Sequence, residues 1–89
     1  MTRDEEIMTI LQEECAEVIQ MVSKIKRFGL DEIHLKQGGT NRERLTEEVG
    51  DLQAMINLLQ LYNVVDVSAV EEAKNAKFEK LKYWSKIYE

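Results

Sequence analysis

The stretch Ile10–Gln20, ILQEECAEVIQ, decides the fold. Ile10, Leu11, Val18 and Ile19 recur at helical spacing, and Glu14 stands four after Ile10, three after Leu11 and four before Val18. On an α-helix those separations place Glu14 on the apolar stripe. A carboxylate facing the core requires a compensating partner, because an unpaired buried charge is unfavourable by several kcal/mol, roughly.

Outward from this stretch the pattern stays helical. Acids at Asp4, Glu5 and Glu6 suit a helix N-terminus near Thr2 or Asp4, and Lys24, Lys26 and Arg27 suit its C-terminus. Phe28-Gly29 is a helix stop. The predicted stripe of this first helix is Ile7, Leu11, Cys15, Val18, Val22 and Ile25. Residues 30–41, LDEIHLKQGGTN, lack sustained periodicity and read as a loop or flap, with a short helical turn at Asp31–Lys36 before Gly38-Gly39. Thr40 or Asn41 caps a second helix through RERLTEEVGDLQAMINLLQLY to about Tyr62, and Asp66 or Ser68 caps a third through SAVEEAKNAKFEKLKYWSKIYE.

The chain has 89 residues, no proline, four glycines and much Ala, Glu, Lys, Leu and Ile. This predicts a single all-α domain over 1–89. So short a chain buries little apolar surface by itself. Because the second helix is apolar around most of its circumference from Ala54 to Tyr62, the expected fold is a helical bundle completed by oligomerisation, as a homodimer or tetramer.

The net charge of −5 argues against a nucleic-acid binder, and no apolar run is long enough to span a membrane. A single cysteine, Cys15, excludes an internal disulfide framework; with no signal-like segment before the first charges, the expected location is cytoplasmic.

Glu14 has a counterpart. Glu48 lies three after Leu45 and four before Leu52, and Asp51 lies four before Met55, so both intrude on the apolar arc of the second helix. Glu14 with Glu17, and Glu48 with Asp51, are i, i+3 pairs that each project two carboxylates to one side. Facing one another they form a cage of four, which must protonate or enclose a cation. Oxygen-only ligands suit Mg²⁺ or Mn²⁺. The competing reading is a pair of solvated acidic faces on a non-catalytic dimerisation or partner-binding module.

Taken together, EECAE (Glu13, Glu14, Glu17), EVGD (Glu48, Asp51) and NAKFEKL (Asn75, Lys77, Phe78, Lys80) resemble the EExxE, ExxD and Asn-x-Lys-Phe segments of the MazG-like all-α nucleoside triphosphate pyrophosphohydrolases. The resemblance implies Mg²⁺-dependent hydrolysis of a nucleoside triphosphate between the α and β phosphorus atoms, giving a monophosphate and pyrophosphate. It implies Glu14, Glu17, Glu48 and Asp51 as metal ligands. Glu13, one turn before Glu17, is the candidate to orient or deprotonate the attacking water or to help hold a second ion. Lys24, Arg27, Lys77 and Lys80, with Asn75, are candidates for the triphosphate. A related enzyme acting on phosphoribosyl-ATP or a single deoxynucleotide is the neighbouring alternative. Of the remaining residues, Trp84 is expected in the core rather than stacked on a base, Cys15 as a small buried hydrophobe, and His34 on the surface.

Overall fold

The computed structural model describes residues 1–33 and 38–89 and contains three helices among them: α1 (Arg3–Phe28), α2 (Asn41–Leu61) and α3 (Val67–Trp84). The helical turn expected at Asp31–Lys36 lies partly outside the described residues, as does His34. Its described part is a turn leading into an isolated antiparallel bridge between Ile33 and Thr40.

Side-chain caps start each helix. Thr2 Oγ1 accepts from Glu5 N–H at 3.1 Å, Thr40 Oγ1 from Glu43 N–H at 3.2 Å and Asp66 Oδ1 from Ala69 N–H at 2.8 Å. Each satisfies a backbone donor that the helix leaves unpaired, worth about 1 kcal/mol. Gly29 ends α1 at φ +93°, a backbone region open to glycine, and its N–H donates to Ile25 at 2.7 Å. The third helix stops five residues earlier than its sequence suggests. Ser85 turns extended and its hydroxyl donates to the Leu81 carbonyl at 2.8 Å.

α1 and α2 form an antiparallel hairpin along two seams, each spaced by four and three. On α1 the inward positions are Ile7, Leu11, Glu14, Val18, Met21 and Ile25; on α2 they are Asn41, Leu45, Glu48, Leu52, Met55 and Leu59. This four-three alternation averages 3.5 residues per turn, the spacing by which helices that coil gently about each other keep one stripe against a neighbour. Ile7, Met55 and Leu59 form the buried cluster at one end, with Ile10, Leu11, Leu58, Val64 and Val65 packed on it.

The α1 seam differs from the expected one at two positions. Cys15 is exposed and Val22 partly so, while Glu14 and Met21 face the partner helix instead. Both lines are spaced equally well. The one that carries a carboxylate is the one the hairpin uses.

At the other end the loop is clasped to α2. Asn41 is 3 % exposed and donates its side-chain amide to the Gly29 carbonyl at 2.9 Å. Asn41 N–H donates to Glu32 and Arg42 N–H to Leu30, at 3.0 and 2.8 Å. Thr40 therefore caps the helix, and Asn41 ties its start to the end of α1.

The third helix does not join this packing. A short connector, Tyr62–Asp66, turns at Asn63 with φ +58°, and Val64 and Val65 N–H both donate to the Leu59 carbonyl. Beyond it α3 has no buried residue. Along its predicted stripe Val70 and Leu81 are only half-buried, Ala73 and Lys77 are exposed, and Trp84, expected in the core, is 85 % exposed.

The protomer measures 40 × 40 × 14 Å with a radius of gyration of 15.9 Å. A compact chain of this length has a radius near 12 Å, roughly. It is a layer one helix thick, and no helix among the described residues is long and apolar enough to cross a membrane.

Candidate metal centre

The middle of the hairpin seam is acidic. Glu14 from α1 and Glu48 and Asp51 from α2 each bring a carboxylate oxygen to a common point, all within 4.8 Å of one another. The helical seams cause this directly. Glu14 and Glu48 occupy inward positions, half-buried, and Asp51 stands on the exposed edge beside Leu52.

The electrostatics follow from the placement. Loss of hydration pushes the Glu14 carboxyl above its usual range, reinforced by the charges of Asp51, Glu17 and Glu13. The Glu48 carboxyl is raised for the same reason, reinforced by Glu17, Asp51 and Glu14 and opposed by Arg44. Glu17 thus belongs to the same field, although its oxygens are not among the three that converge. Glu13 lies exposed one residue before Glu14 and acts on it through charge.

Such a donor set fits a hard cation. All converging atoms are carboxylate oxygens, with no sulfur or imidazole among them. Bonds of 2.0–2.1 Å to Mg²⁺ place octahedral ligand oxygens about 3 to 4 Å apart, so only a small inward rotation of the side chains separates the observed spacing from that geometry. Three carboxylates would leave further positions for water or phosphate oxygens. Cys15 is exposed beside Glu14 and takes no part.

The candidate cations are less concentrated. Lys24 is half-buried on α1, two helical turns beyond Glu17 on the same side. Arg27 leans back over the Phe28 ring, 5.0 Å from its centre. Asn75, Lys77 and Lys80 are exposed on α3, and about 15 Å of α2 separates Asp51 from the connector before that helix even begins. Within one protomer no side-chain hydrogen bond or ion pair joins those three to a described residue.

Asn41, a cap candidate by sequence, is instead a buried polar residue of the seam. Asn41 sits four before Leu45 and seven before Glu48, on the same line as the acids, and this spacing was the available signal. No protein-family model, no curated protein and no solved structure matches the chain.

Proposed function

We propose that the chain is a metal-dependent nucleoside triphosphate pyrophosphohydrolase of MazG-like type that works as a homodimer or tetramer. The observation that supports it is the convergence of Glu14, Glu48 and Asp51 within 4.8 Å at the half-buried middle of a helical hairpin. Like charges gathered there raise one another's proton affinity, and a divalent cation is the alternative means of neutralising them. Mg²⁺, or Mn²⁺ in its place, is the proposed cofactor, held by Glu14, Glu48 and Asp51 with Glu17 beside them. When bound it supplies positive charge for a triphosphate and for the charge that develops on hydrolysis.

The chain's own residues do the rest. Glu13 takes a proton from a water whose oxygen bonds to phosphorus at the α-β bridge. The bridging P–O bond breaks, and monophosphate and pyrophosphate leave. Lys24 and Arg27 on α1, and Asn75, Lys77 and Lys80 on α3, bind the phosphate chain. The α3 group would have to come from another subunit, because in its own protomer α3 is not packed on the hairpin that carries the acids.

The test is direct. Purified protein is incubated with each nucleoside triphosphate and Mg²⁺, and monophosphate plus pyrophosphate is resolved from diphosphate plus phosphate. Monophosphate and pyrophosphate are expected. Diphosphate as product, or no turnover with any triphosphate, overturns the assignment.

A further inference from the structure

One edge of the α1–α2 hairpin repeats every seven residues. On α1 it is Arg3, Ile10, Glu17 and Lys24; on α2, running the other way, it is Arg44, Asp51 and Leu58. Seven residues are close to two helical turns, so each set stays on one side of its helix. Both sets lie along the same edge. Arg3, Ile10 and Leu58 line one open groove, while Glu17 and Asp51 each act on an acid of the opposite helix, Glu48 and Glu14 respectively.

The edge falls into three zones, each about 10 Å long. At one end is the groove, about 520 Å³, floored by Ile7, Ile10, Met55 and Leu58. Tyr62 closes it, with the Arg3 guanidinium 3.7 Å over the centre of its ring. Next come the acids. Ile10 lies four residues before Glu14 and Met55 four after Asp51, so groove and acid centre are one helical turn apart, about 6 Å. Lys24 and Arg44 form the far end, both half-buried. Arg44 pairs with Glu47 at 3.8 Å and lies near enough to Glu48 for its charge to act there.

An edge that is apolar, then acidic, then cationic complements a ligand built in the same order. Such a ligand has a flat apolar end, a middle that shares a divalent cation with carboxylates, and an anionic far end. A nucleoside triphosphate has these parts in this sequence. Arg3 and Glu6 border the groove and offer a donor and an acceptor to the edge of a base.

We infer that a nucleoside triphosphate lies lengthwise along this edge, its base in the Ile7–Leu58–Tyr62 groove and its terminal phosphates toward Lys24 and Arg44. The α-β bridge then falls at the acids, so the monophosphate stays on the apolar side and pyrophosphate leaves on the cationic side. Arg44 joins Lys24 in binding that leaving group through charge-assisted hydrogen bonds. The inference rests on the function proposed above and adds the direction in which the substrate lies.

The two products, titrated separately, read that direction. Full-length protein in Mg²⁺ is titrated calorimetrically with pyrophosphate and, in turn, with adenosine, guanosine, cytidine and uridine monophosphates. Leu58→Asn should weaken the tightest monophosphate by about tenfold and leave pyrophosphate unchanged. Arg44→Gln should do the reverse, by a similar factor. Should Leu58→Asn fail to fold, Tyr62→Ala, at the exposed end of the groove, takes its place. Arg44→Gln weakening the monophosphate and sparing pyrophosphate overturns the direction, as do variants that change both products equally. A lower sedimentation coefficient in the groove variant, with monophosphate binding unchanged, overturns it too, since a second copy of the chain would then fill the groove. Any of these results, with a triphosphate still cleaved to monophosphate and pyrophosphate, leaves the proposed function standing. A chain that binds neither product and hydrolyses no triphosphate removes both.

Discussion

Asn41 donates its side-chain amide to the carbonyl of Gly29 across 2.9 Å, joining the first residue of one helix to the residue that ends the other. The bond is part of a clasp in which Asn41 and Arg42 N–H also bind the loop. Replacing Asn41 by Ala removes this part-buried hydrogen bond, a loss of about 1 kcal/mol. Urea unfolding of Asn41→Ala should show that loss. Asn41→Asp should lose as much, because the carboxylate has no N–H to give.

The acids at the seam make a prediction about pH. Glu14 and Glu48 are both raised above 4.5, so the folded chain holds more protons than the unfolded chain at and above that pH. Metal-free stability from these groups is present in full below 4.5 and is lost as pH rises through their raised values. The double variant Glu14→Gln, Glu48→Gln should therefore melt higher than the natural chain at neutral pH in a chelating buffer. Its advantage should vanish in acid. Equal melting temperatures at neutral pH would remove the repulsion from the account.

Divalent cations should reverse that order. A Mg²⁺ ion held by the ionised folded site, as proposed, and not by the unfolded chain should add about 2.7 kcal/mol at a hundredfold excess over its dissociation constant. The gain should shrink on acidification and be absent from the double variant. If the proposed chemistry is right, Glu48→Gln and Asp51→Asn should also lower turnover by about a hundredfold or more while leaving the circular dichroism spectrum intact.

Gly50 lies inside α2, between Glu48 and Asp51, and a methyl group added there meets nothing within 4 Å. Glycine in a helix interior is unfavourable relative to alanine, so Gly50→Ala should stabilise by about 0.5 to 1 kcal/mol in chemical unfolding. A loss instead would mean that another molecule covers this side of α2 in solution.

Much of the architecture was legible in the sequence, and particular residues explain the rest. The caps, each narrowed to two candidates, the stop at Gly29 and the inward place of Glu48 follow from local chemistry and helical spacing. The choice between Cys15 and Glu14 for the α1 seam does not. Both lines are spaced by four and three, hydrophobicity favours Cys15, and only the hairpin's packing selects the carboxylate. The same holds for Trp84. Its stripe is real, but a sequence does not say whether a stripe finds its cover inside the protomer, and here it does so only in part. Lys77, Lys80 and Asn75 were grouped with the acids by motif order, whereas α3 carries them off the hairpin.

The hairpin is fastened at its ends. Ile7, Met55 and Leu59 close one end and Met21 with the Asn41–Gly29 bond closes the other, while the positions between are half-buried and include two repelling acids. Helices usually fray from their termini inward. Here the weakest grip between the two helices is at the centre, so the pair behaves as a bow pinned at both tips, opening in the middle first. Amide exchange around Val18 and Leu52 should then outpace exchange near Met21 and Met55, and whatever settles among the acids would string the bow tight.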